Sequence, residues 1–426
     1  MLSLCMKKNI ILFLVFFVWG NSMVAQNKSE QLPIVFVHGF LGSGDTYSTQ
    51  FQRFIANGYL PSQLHVFDWN SVGAKNNTIN QLDSFINMVL ANTGANRVNL
   101  VGHSAGGGVG YGYLNDADRA LKVAKYVHIG SSKQTKPAGN NGQISTLNIY
   151  SLGDKVVKAG DIPGALNVQQ KESDHYEVAT SEASFWEMFH FFNPSITNQQ
   201  KVKIKKQPII AGKACLMGEN TPLANAVVEV YGFSLSRGKR MDEKPIFKFN
   251  TDEQGNWGPF KAQAAVAYEF VLKPAGGQRT VHYFHEPFTS DDPLVYLRAL
   301  PKTGMTALLL NTLPSNDQQS VLAIFSSNRA VIAGRDSLTI DGLNLASETI
   351  SPASKTAIAH FIFENGDGNS TGNLIPTFKA IPFMNGIDFL LDSNDTKPVY
   401  IFYNGKHYNL PKIKSASEGI MVLVLK

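Results

Sequence analysis

The stretch VNLVGHSAGG, residues 98–107, is an apolar run that ends abruptly at a serine enclosed by glycines. Its first four residues are typical of a buried strand, and the small residues after the serine begin a helical pattern. A serine at such a strand–turn–helix junction, with glycines two positions before and after it, is the pattern of a nucleophile elbow. The pattern predicts that Ser104 presents its hydroxyl on a strained turn, where Gly102 and Gly106 relieve steric crowding. The alternative reading is a plain glycine-rich turn.

The sequence around this stretch alternates short apolar runs with amphipathic segments as far as about residue 200. Between the runs, apolar residues recur at helical spacing, as in residues 82–90, and residues 185–192 predict a closing helix with Ser184 and Glu187 as its capping box. The pattern predicts an α/β domain built on an open, mostly parallel sheet with helices on both faces. Its predicted strands are PIVFV (33–37), LHVF (64–67), VNLV (98–101), YVHI (126–129) and TLNIYSL (146–152).

The pattern of the sequence changes after about residue 208. Short β-type segments such as NAVVEVYGF and IMVLVLK are separated by Gly, Asn, Asp and Pro, and no long helical period recurs. This pattern favours one or two antiparallel sandwiches or barrels. The predicted domains are therefore 26–207 (α/β), 208–302 (β-sandwich) and 303–426 (a second β-rich domain).

The composition indicates a soluble globular protein of two or three domains. The chain has 426 residues, of which 43% are hydrophobic and 17% are charged. Its densest basic cluster, KVKIKK at 201–206, is short and fits a solvated linker better than a nucleic-acid patch. We therefore expect no nucleic-acid partner.

The N-terminus is typical of an export signal. Lys7 and Lys8 precede an apolar run, and small residues lead to an expected cleavage after Ala25. The run is too short to cross a bilayer, so we expect no stable membrane anchor and a secreted, periplasmic or cell-surface protein. Cleavage would remove Cys5 and leave Cys215 alone, which excludes an intrachain disulfide and a cysteine metal site in the mature chain.

A serine nucleophile needs a base, and the base needs an orienting acid, which in this architecture follow in the order Ser, acid, His. Asp154 comes directly after the predicted strand at 146–152, where a parallel sheet presents functional loops. Asp161 and Asp174 are the competing acids. Asp174 adjoins the candidate histidine and cannot easily reach back to the same imidazole.

The candidate base is His175, on a loop after the last strand and before the closing helix. The histidines at 38 and 103 belong to other motif positions, and those at 128 and 190 lie inside a strand and a helix. The stretch VFVHGFLGSG (35–44) supplies the remaining element. Its turn offers the backbone N–H of Phe40 to a developing oxyanion, together with the N–H of Ala105.

These segments together resemble the secreted α/β-hydrolase lipases, in particular the class 2 type of bacteria and archaea. The segments that carry the resemblance, in chain order, are VFVHGFLGSG, ANRVNLVGHSAGG, SLGDKVV and DHYEVATSEASF, followed by the vaguer PLANAVVEVYGF, GNWGPFKA, AYEFVL and HYFHEPF. The resemblance implies hydrolysis of acyl esters, triglycerides among them, by Ser104, Asp154 and His175, without a metal or organic cofactor. Some relatives carry the acid after the preceding strand, but here that strand ends HIGSSKQ and has no carboxylate.

Several points stay open at the level of sequence. Phe40, Leu41, Tyr47 and Tyr111 could line an acyl pocket or pack in the core. The aromatic residues of the β-rich half could contact a lipid–water interface, cover the acyl pocket or fill β cores: Phe247, Phe249, Trp257, Phe260, Tyr283, Phe284 and Phe288. The rival functions are a polyester depolymerase or thioesterase on the same scaffold, and a surface lipid- or glycan-binding protein with a degenerate hydrolase head.

Overall fold

The α/β segment is built on six parallel strands, in the spatial order β2-β1-β3-β4-β5-β6. A computed structural model describes residues 31–73, 77–379 and 381–426, so the predicted export signal (1–25) lies outside the described residues. The strands are β1 (Ile34–Val37), β2 (Leu64–Phe67), β3 (Val98–His103), β4 (Val123–Ile129), β5 (Ser145–Ser151) and β6 (Leu166–Gln170). The helices are α1 (Ser48–Ala56), α2 (Thr78–Thr93), α3 (Ala105–Leu114), α4 (Ala117–Ala120), α5 (Glu177–Thr180) and α6 (Glu182–Phe192).

Helices cover both faces of this sheet, as the alternation along β1 illustrates. Ile34 and Phe36 point into a core shared with α1 and α6, whereas Val35 and Val37 point into a core shared with α2 and α3. All four side chains are fully buried, which is why the strand reads as a continuous apolar run. The predicted α/β fold is confirmed.

Two local features differ from the sequence expectations. The edge strand β6 was not anticipated, because its mixed sequence LNVQQ is only partly buried and lacks an apolar run. The closing helix begins at Glu182, and Ser181 is its N-cap, with the Ser181 side chain accepting a hydrogen bond from the N–H of Ser184. The expected capping box at Ser184 is therefore wrong, since Ser184 lies within the first turn and is fully buried.

The rest of the chain is β-rich, as predicted, but its sheets are partly parallel. The strands are β7 (Ile209–Leu216), β8 (Val227–Ser234), β9 (Lys239–Arg240), β10 (Phe247–Asn250), β11 (Asn256–Lys261), β12 (Ala267–Lys273), β13 (Val281–His285), β14 (Asp292–Ala299), β15 (Leu322–Ser326), β16 (Leu338–Ile340), β17 (Leu343–Asn344), β18 (Ala359–Phe363), β19 (Met384–Asp388), β20 (Val399–Tyr403), β21 (Lys406–Leu410) and β22 (Ile420–Leu425). Two short helices, α7 (Met305–Leu310) and α8 (Pro376–Lys379), interrupt them.

A nine-stranded sheet lies between two smaller sheets. Its order is β10-β8-β12-β13-β22-β15-β18-β19, with β9 beside β8. One face packs on the three-stranded sheet β11-β7-β14, and the other packs on the four-stranded sheet β17-β16-β20-β21. The C-terminal strand β22 inserts between β13 and β15 and is parallel to both. The nine-stranded sheet therefore continues across the predicted boundary at residue 302, and the division into two β-rich domains stays a prediction.

The three-stranded sheet also packs on the α/β segment. Cys215 of β7 and Leu294 and Tyr296 of β14 are buried in the same core as Phe36 and Tyr47. Residues 32–426 accordingly form one compact unit. In the three described ranges, no helix combines the length and apolar character needed to cross a membrane.

Candidate active site

The turn after β3 places Ser104 at the start of α3 in a strained backbone conformation. Ser104 has a φ of 53° and a ψ of −122°, a region that non-glycine residues rarely adopt. Two glycines make the turn sterically feasible: a Cβ on Gly102 would lie 2.6 Å from the carbonyl oxygen of Gly106, and a Cβ on Gly106 would lie 2.3 Å from that of Val37. Ser131, from the loop after β4, donates a hydrogen bond to the Ser104 carbonyl oxygen at 2.7 Å. The geometry is that expected for an elbow.

Ser104, His175 and Asp154 are joined by two short hydrogen bonds. His175 Nε2 lies 2.8 Å from Ser104 Oγ, and His175 Nδ1 lies 2.7 Å from Asp154 Oδ2. Because an ionised carboxylate only accepts, the ring proton is on Nδ1 and Nε2 is free to accept from the serine hydroxyl. Asp154 lies just beyond β5, and His175 lies between β6 and α5 on residues 171–176, which we call the histidine loop. The structure thus brings together the three residues that the sequence singled out.

The environment of Asp154 keeps it ionised. Burial would raise the pKa of Asp154, but the hydrogen bond and charge of His175 and the N–H groups of Val156 and Val157 together hold that pKa below its usual value. The two N–H groups donate to Asp154 Oδ1 at 2.8 and 3.2 Å, and Oδ2 is used by the histidine. Each oxygen of this carboxylate therefore has a separate structural task.

The two competing acids are engaged elsewhere. Asp161 accepts a hydrogen bond from the Tyr150 hydroxyl at 2.8 Å. Asp174 is buried, caps the N–H groups of Tyr176 and Glu177, and forms an ion pair with Arg335. Of the three candidates, Asp154 is the one hydrogen-bonded to the His175 ring.

The turn after β1 lies beside Ser104. A backbone N–H of this turn could donate to an oxyanion only from such a position. Phe40 and the elbow residue Ser104 line one small pocket. The backbone N–H groups of Phe40 and Ala105 have no hydrogen-bond acceptor among the described residues. A Cβ on Gly39 would lie 2.9 Å from Ser104 Cβ, so glycine is required for this close approach.

His38 supports the turn and does not face the serine. Its Nδ1 lies 2.8 Å from the carbonyl oxygen of Gly39, and its Nε2 lies 3.2 Å from both the backbone N of Trp69 and Nδ2 of Asn220. Because the latter two are donors, the ring proton is assigned to Nδ1. Burial lowers the pKa of His38, which keeps the ring neutral.

Two residues of the β-rich half hold the same turn and were missed in the sequence. Asn220, which follows β7, accepts from Ser43 Oγ at 2.6 Å and donates to the carbonyl oxygen of Gly42 at 2.9 Å. Arg298 of β14 donates to Asp45 at 2.5 Å, and its side chain is 13% exposed. A single arginine within the apolar strand VYLRA was a signal for Arg298, whereas Asn220 sits in a turn with no distinguishing pattern.

Two further rings contact the candidate base. His103 Nε2 lies 2.8 Å from the backbone oxygen of His175. Burial, followed by the charge of His175, lowers the pKa of His103 to about 3, so His103 is neutral and donates this bond. Phe383, from the segment before β19, stacks on the His175 ring at a centroid distance of 5.6 Å. The base is therefore covered by a residue of the C-terminal part.

A second cavity, of about 200 Å³, adjoins the pocket at Ser104. Both are lined by Tyr176 and Phe383, and the larger one continues between the α/β segment and the β-rich sheets. Of the four residues considered for an acyl pocket, Phe40 lines the pocket at Ser104 and Leu41 lines the larger cavity. Tyr47 is fully buried in the core, and the Tyr111 hydroxyl donates to the Lys136 carbonyl oxygen.

The aromatic residues of the β-rich half are mostly core. Each of the following is at most 4% exposed: Trp257, Phe260, Tyr283, Phe284 and Phe288. The idea that these five form an exposed lipid-contacting surface is therefore wrong, and Tyr283 is the one of them that lines the larger cavity. Phe247 and Phe249 are partly buried and pack against the same core.

The fold and this site together define an α/β hydrolase with a β-rich C-terminal half. Residues 31–113 match the family model for lipase (class 2). Residues 206–301 match the lipase C-terminal domain, and residues 314–406 match a further model described as a C-terminal domain. The chain is therefore similar to class 2 lipases and to lipase C-terminal domains over these segments, and the resemblance noted in the sequence is confirmed. The first match includes Ser104 but ends before Asp154 and His175.

Solved structures similar to the chain include three hydrolases. The Bacillus licheniformis lipase BlEst2 is 15% identical over 38% of this chain and 92% of its own, with a TM-score of 0.30. The Aspergillus fumigatus lipase B is 13% identical over 41% and 55%, with a TM-score of 0.30. The carboxylesterase CesB from Bacillus subtilis is 14% identical over 39% and 86%, with a TM-score of 0.28.

Proposed function

We propose that this protein hydrolyses carboxylic esters of long acyl chains, triglycerides among them, through an acyl-enzyme on Ser104. The observation that carries the proposal is the pair of hydrogen bonds that links Ser104 Oγ to His175 and His175 to Asp154, at 2.8 and 2.7 Å. A serine hydroxyl is a weak nucleophile, and this arrangement supplies both the base and its orienting acid.

In the first half of the reaction, Ser104 Oγ attacks the ester carbonyl while His175 Nε2 takes the hydroxyl proton. The negative charge that develops on the carbonyl oxygen is met by the N–H groups of Phe40 and Ala105, each contributing about 3 kcal/mol to the transition state. Asp154 stabilises the imidazolium through its bond to Nδ1. His175 then returns the proton to the leaving alkoxide, and the alcohol departs from the acyl-enzyme.

In the second half, water replaces the alcohol. His175 takes a proton from the water as it attacks the acyl carbonyl, and returns a proton to Ser104 Oγ when the tetrahedral intermediate collapses. The products are the free acid and the regenerated serine. Every proton in this cycle is carried by the chain's own groups.

The cavity that adjoins the serine pocket supports a long acyl chain as the substrate's apolar part. Its wall includes the apolar side chains of Leu41, Val295, Phe325 and Met384. An ester bound with its carbonyl at Ser104 could extend its chain into this space. The intact set of serine, base and acid argues against the alternative of a binding protein with a degenerate hydrolase head. Export of the mature chain remains part of the proposal on the strength of its N-terminal sequence.

The test is hydrolysis of a p-nitrophenyl ester series of increasing chain length, together with a triglyceride emulsion. Ser104→Ala should reduce turnover by several orders of magnitude and abolish labelling by a fluorophosphonate probe, without changing the thermal unfolding transition. An alanine variant that still turns over and still labels would overturn the proposal. If only the shortest esters are hydrolysed, the protein is a carboxylesterase and the proposed long-chain substrate is wrong.

A further inference from the structure

The histidine loop is attached to the C-terminal part of the chain through the side chain of Asp174. Asp174 Oδ1 accepts the N–H groups of Tyr176 and Glu177, both at 2.9 Å, and so fixes the turn that carries His175. Asp174 Oδ2 accepts the N–H of Ala330 at 3.1 Å and a guanidinium nitrogen of Arg335 at 3.0 Å. One carboxylate thus connects the loop's own backbone to a segment more than 150 residues further along the chain.

Arg335 is itself held in a fixed orientation. Its Nε lies 2.9 Å from Asp336 Oδ2, its Nη1 lies 3.1 Å from Glu177 Oε2, and its Nη2 also donates to the Ala330 carbonyl oxygen. Asp174 is 1% exposed at its side chain, and Arg335 is 27% exposed. Salt screens an ion pair this sheltered less than it screens a surface pair. A planar guanidinium that is bound at several atoms also holds its carboxylate partner in one position.

The position of His175 depends on the turn that Asp174 fixes. The imidazole must lie within hydrogen-bond distance of two groups at once, Ser104 Oγ on one side and Asp154 Oδ2 on the other. Its backbone oxygen lies 2.8 Å from His103 Nε2 and Phe383 stacks on its ring, but neither contact closes the turn that carries it. A displacement of about 1 Å at a reacting group is enough to lower a rate by about 100-fold.

We propose that Arg335 is a positioning residue for ester hydrolysis: through Asp174 it holds His175 in register with Ser104 and Asp154. The inference rests on the proposed function, because positioning matters only if His175 acts as the base. It assigns to the β-rich half a role in the chemical step on any ester, in addition to any role toward long or emulsified substrates.

The experiment uses the full-length protein with Arg335→Ala, Arg335→Lys and the matched control Arg240→Ala. Arg240 pairs with Glu269 in the β-rich half at 2.6 Å, and its side chain is 29% exposed against 4% for its partner, so it resembles the Arg335–Asp174 pair in burial. Arg335→Ala should lower kcat for a short soluble ester by about 10- to 100-fold with little change in KM. Arg240→Ala should leave kcat within about twofold even if it lowers Tm comparably, and added guanidinium ion should restore part of the activity of Arg335→Ala alone.

A spectroscopic measurement separates this proposal from the proposed function. The proton on His175 Nδ1, bonded to Asp154, should give a downfield proton NMR resonance, assigned by its loss in Asp154→Asn. Arg335→Ala should broaden or remove that resonance, and Arg240→Ala should retain it. If kcat and the resonance are unchanged in Arg335→Ala, or if both arginine variants lose activity in parallel with Tm, the positioning role is wrong. If the resonance depends on Arg335 but the wild-type protein hydrolyses no ester, the proposed function fails and the structural coupling stands.

Discussion

Replacing Asp154 by asparagine exchanges one carboxylate oxygen for an NH₂ group. This change should move the ring proton of His175 from Nδ1 to Nε2. In the wild-type protein, Asp154 Oδ1 accepts the N–H groups of Val156 and Val157, and Oδ2 accepts from His175 Nδ1. An asparagine has one oxygen, and the two backbone donors keep it on their side. Its NH₂ group then faces His175 Nδ1, which must become an acceptor.

The expected loss follows from this change of tautomer. With Nδ1 unprotonated, the ring proton moves to Nε2 and points at Ser104 Oγ, so the ring can no longer accept the serine proton. The variant also lacks the negative charge that stabilises the imidazolium. Together these effects should lower kcat about 10³- to 10⁴-fold, which corresponds to about 4 to 5 kcal/mol of transition-state stabilisation.

The assay is kcat and KM on a short soluble p-nitrophenyl ester at neutral pH, with Asp161→Asn as the matched control. Asp161 carries the same charge and bonds the Tyr150 hydroxyl, away from the imidazole, so its variant should keep activity within about threefold of wild type. Thermal unfolding of both variants checks that the fold persists. The reasoning is refuted if Asp154→Asn keeps activity within tenfold of wild type, or if Asp161→Asn loses more.

Three further outcomes are expected. Asn220→Ala removes the side chain that bonds Ser43 and the turn after β1, so kcat should fall about tenfold on short and long esters alike. A loss confined to long esters would contradict this prediction. His285 is buried with both ring nitrogens unpartnered among the described residues, and burial lowers its pKa to about 3. Because the unfolded ring binds a proton from about pH 6.5 downward and the folded ring does not, His285 should lower the stability by up to about 1.4 kcal/mol per pH unit below that point. His285→Phe should therefore flatten the loss in urea unfolding, whereas His407→Gln should not. A chain ending near Gln207 should lose activity on soluble and emulsified esters equally, and retained soluble-ester activity would show that the α/β segment is self-sufficient.

The α/β fold and the three linked residues could be predicted because each depends on local pattern. Strands buried on both faces read as apolar runs, and Gly102 and Gly106 mark a turn whose backbone tolerates little else. The convergence of Ser104, Asp154 and His175 follows from strand ends meeting at one edge of a parallel sheet. Local pattern failed at β6, where an edge strand needs no apolar run, and at the start of α6, where Ser181 and Ser184 offer equally good caps.

The contribution of the β-rich half could not be predicted, because it consists of contacts between residues far apart in sequence. Asn220 and Ser43 are 177 positions apart, Arg298 and Asp45 are 253 apart, and Arg335 and Asp174 are 161 apart. Each partner viewed alone is an ordinary turn or strand residue. These contacts hold the turn after β1 and the histidine loop, two segments of the α/β part on which the proposed reaction depends. The β-rich half contains neither the nucleophile nor the base of the proposed reaction. It can nevertheless determine the reaction rate, because it fixes the turn after β1 and the histidine loop.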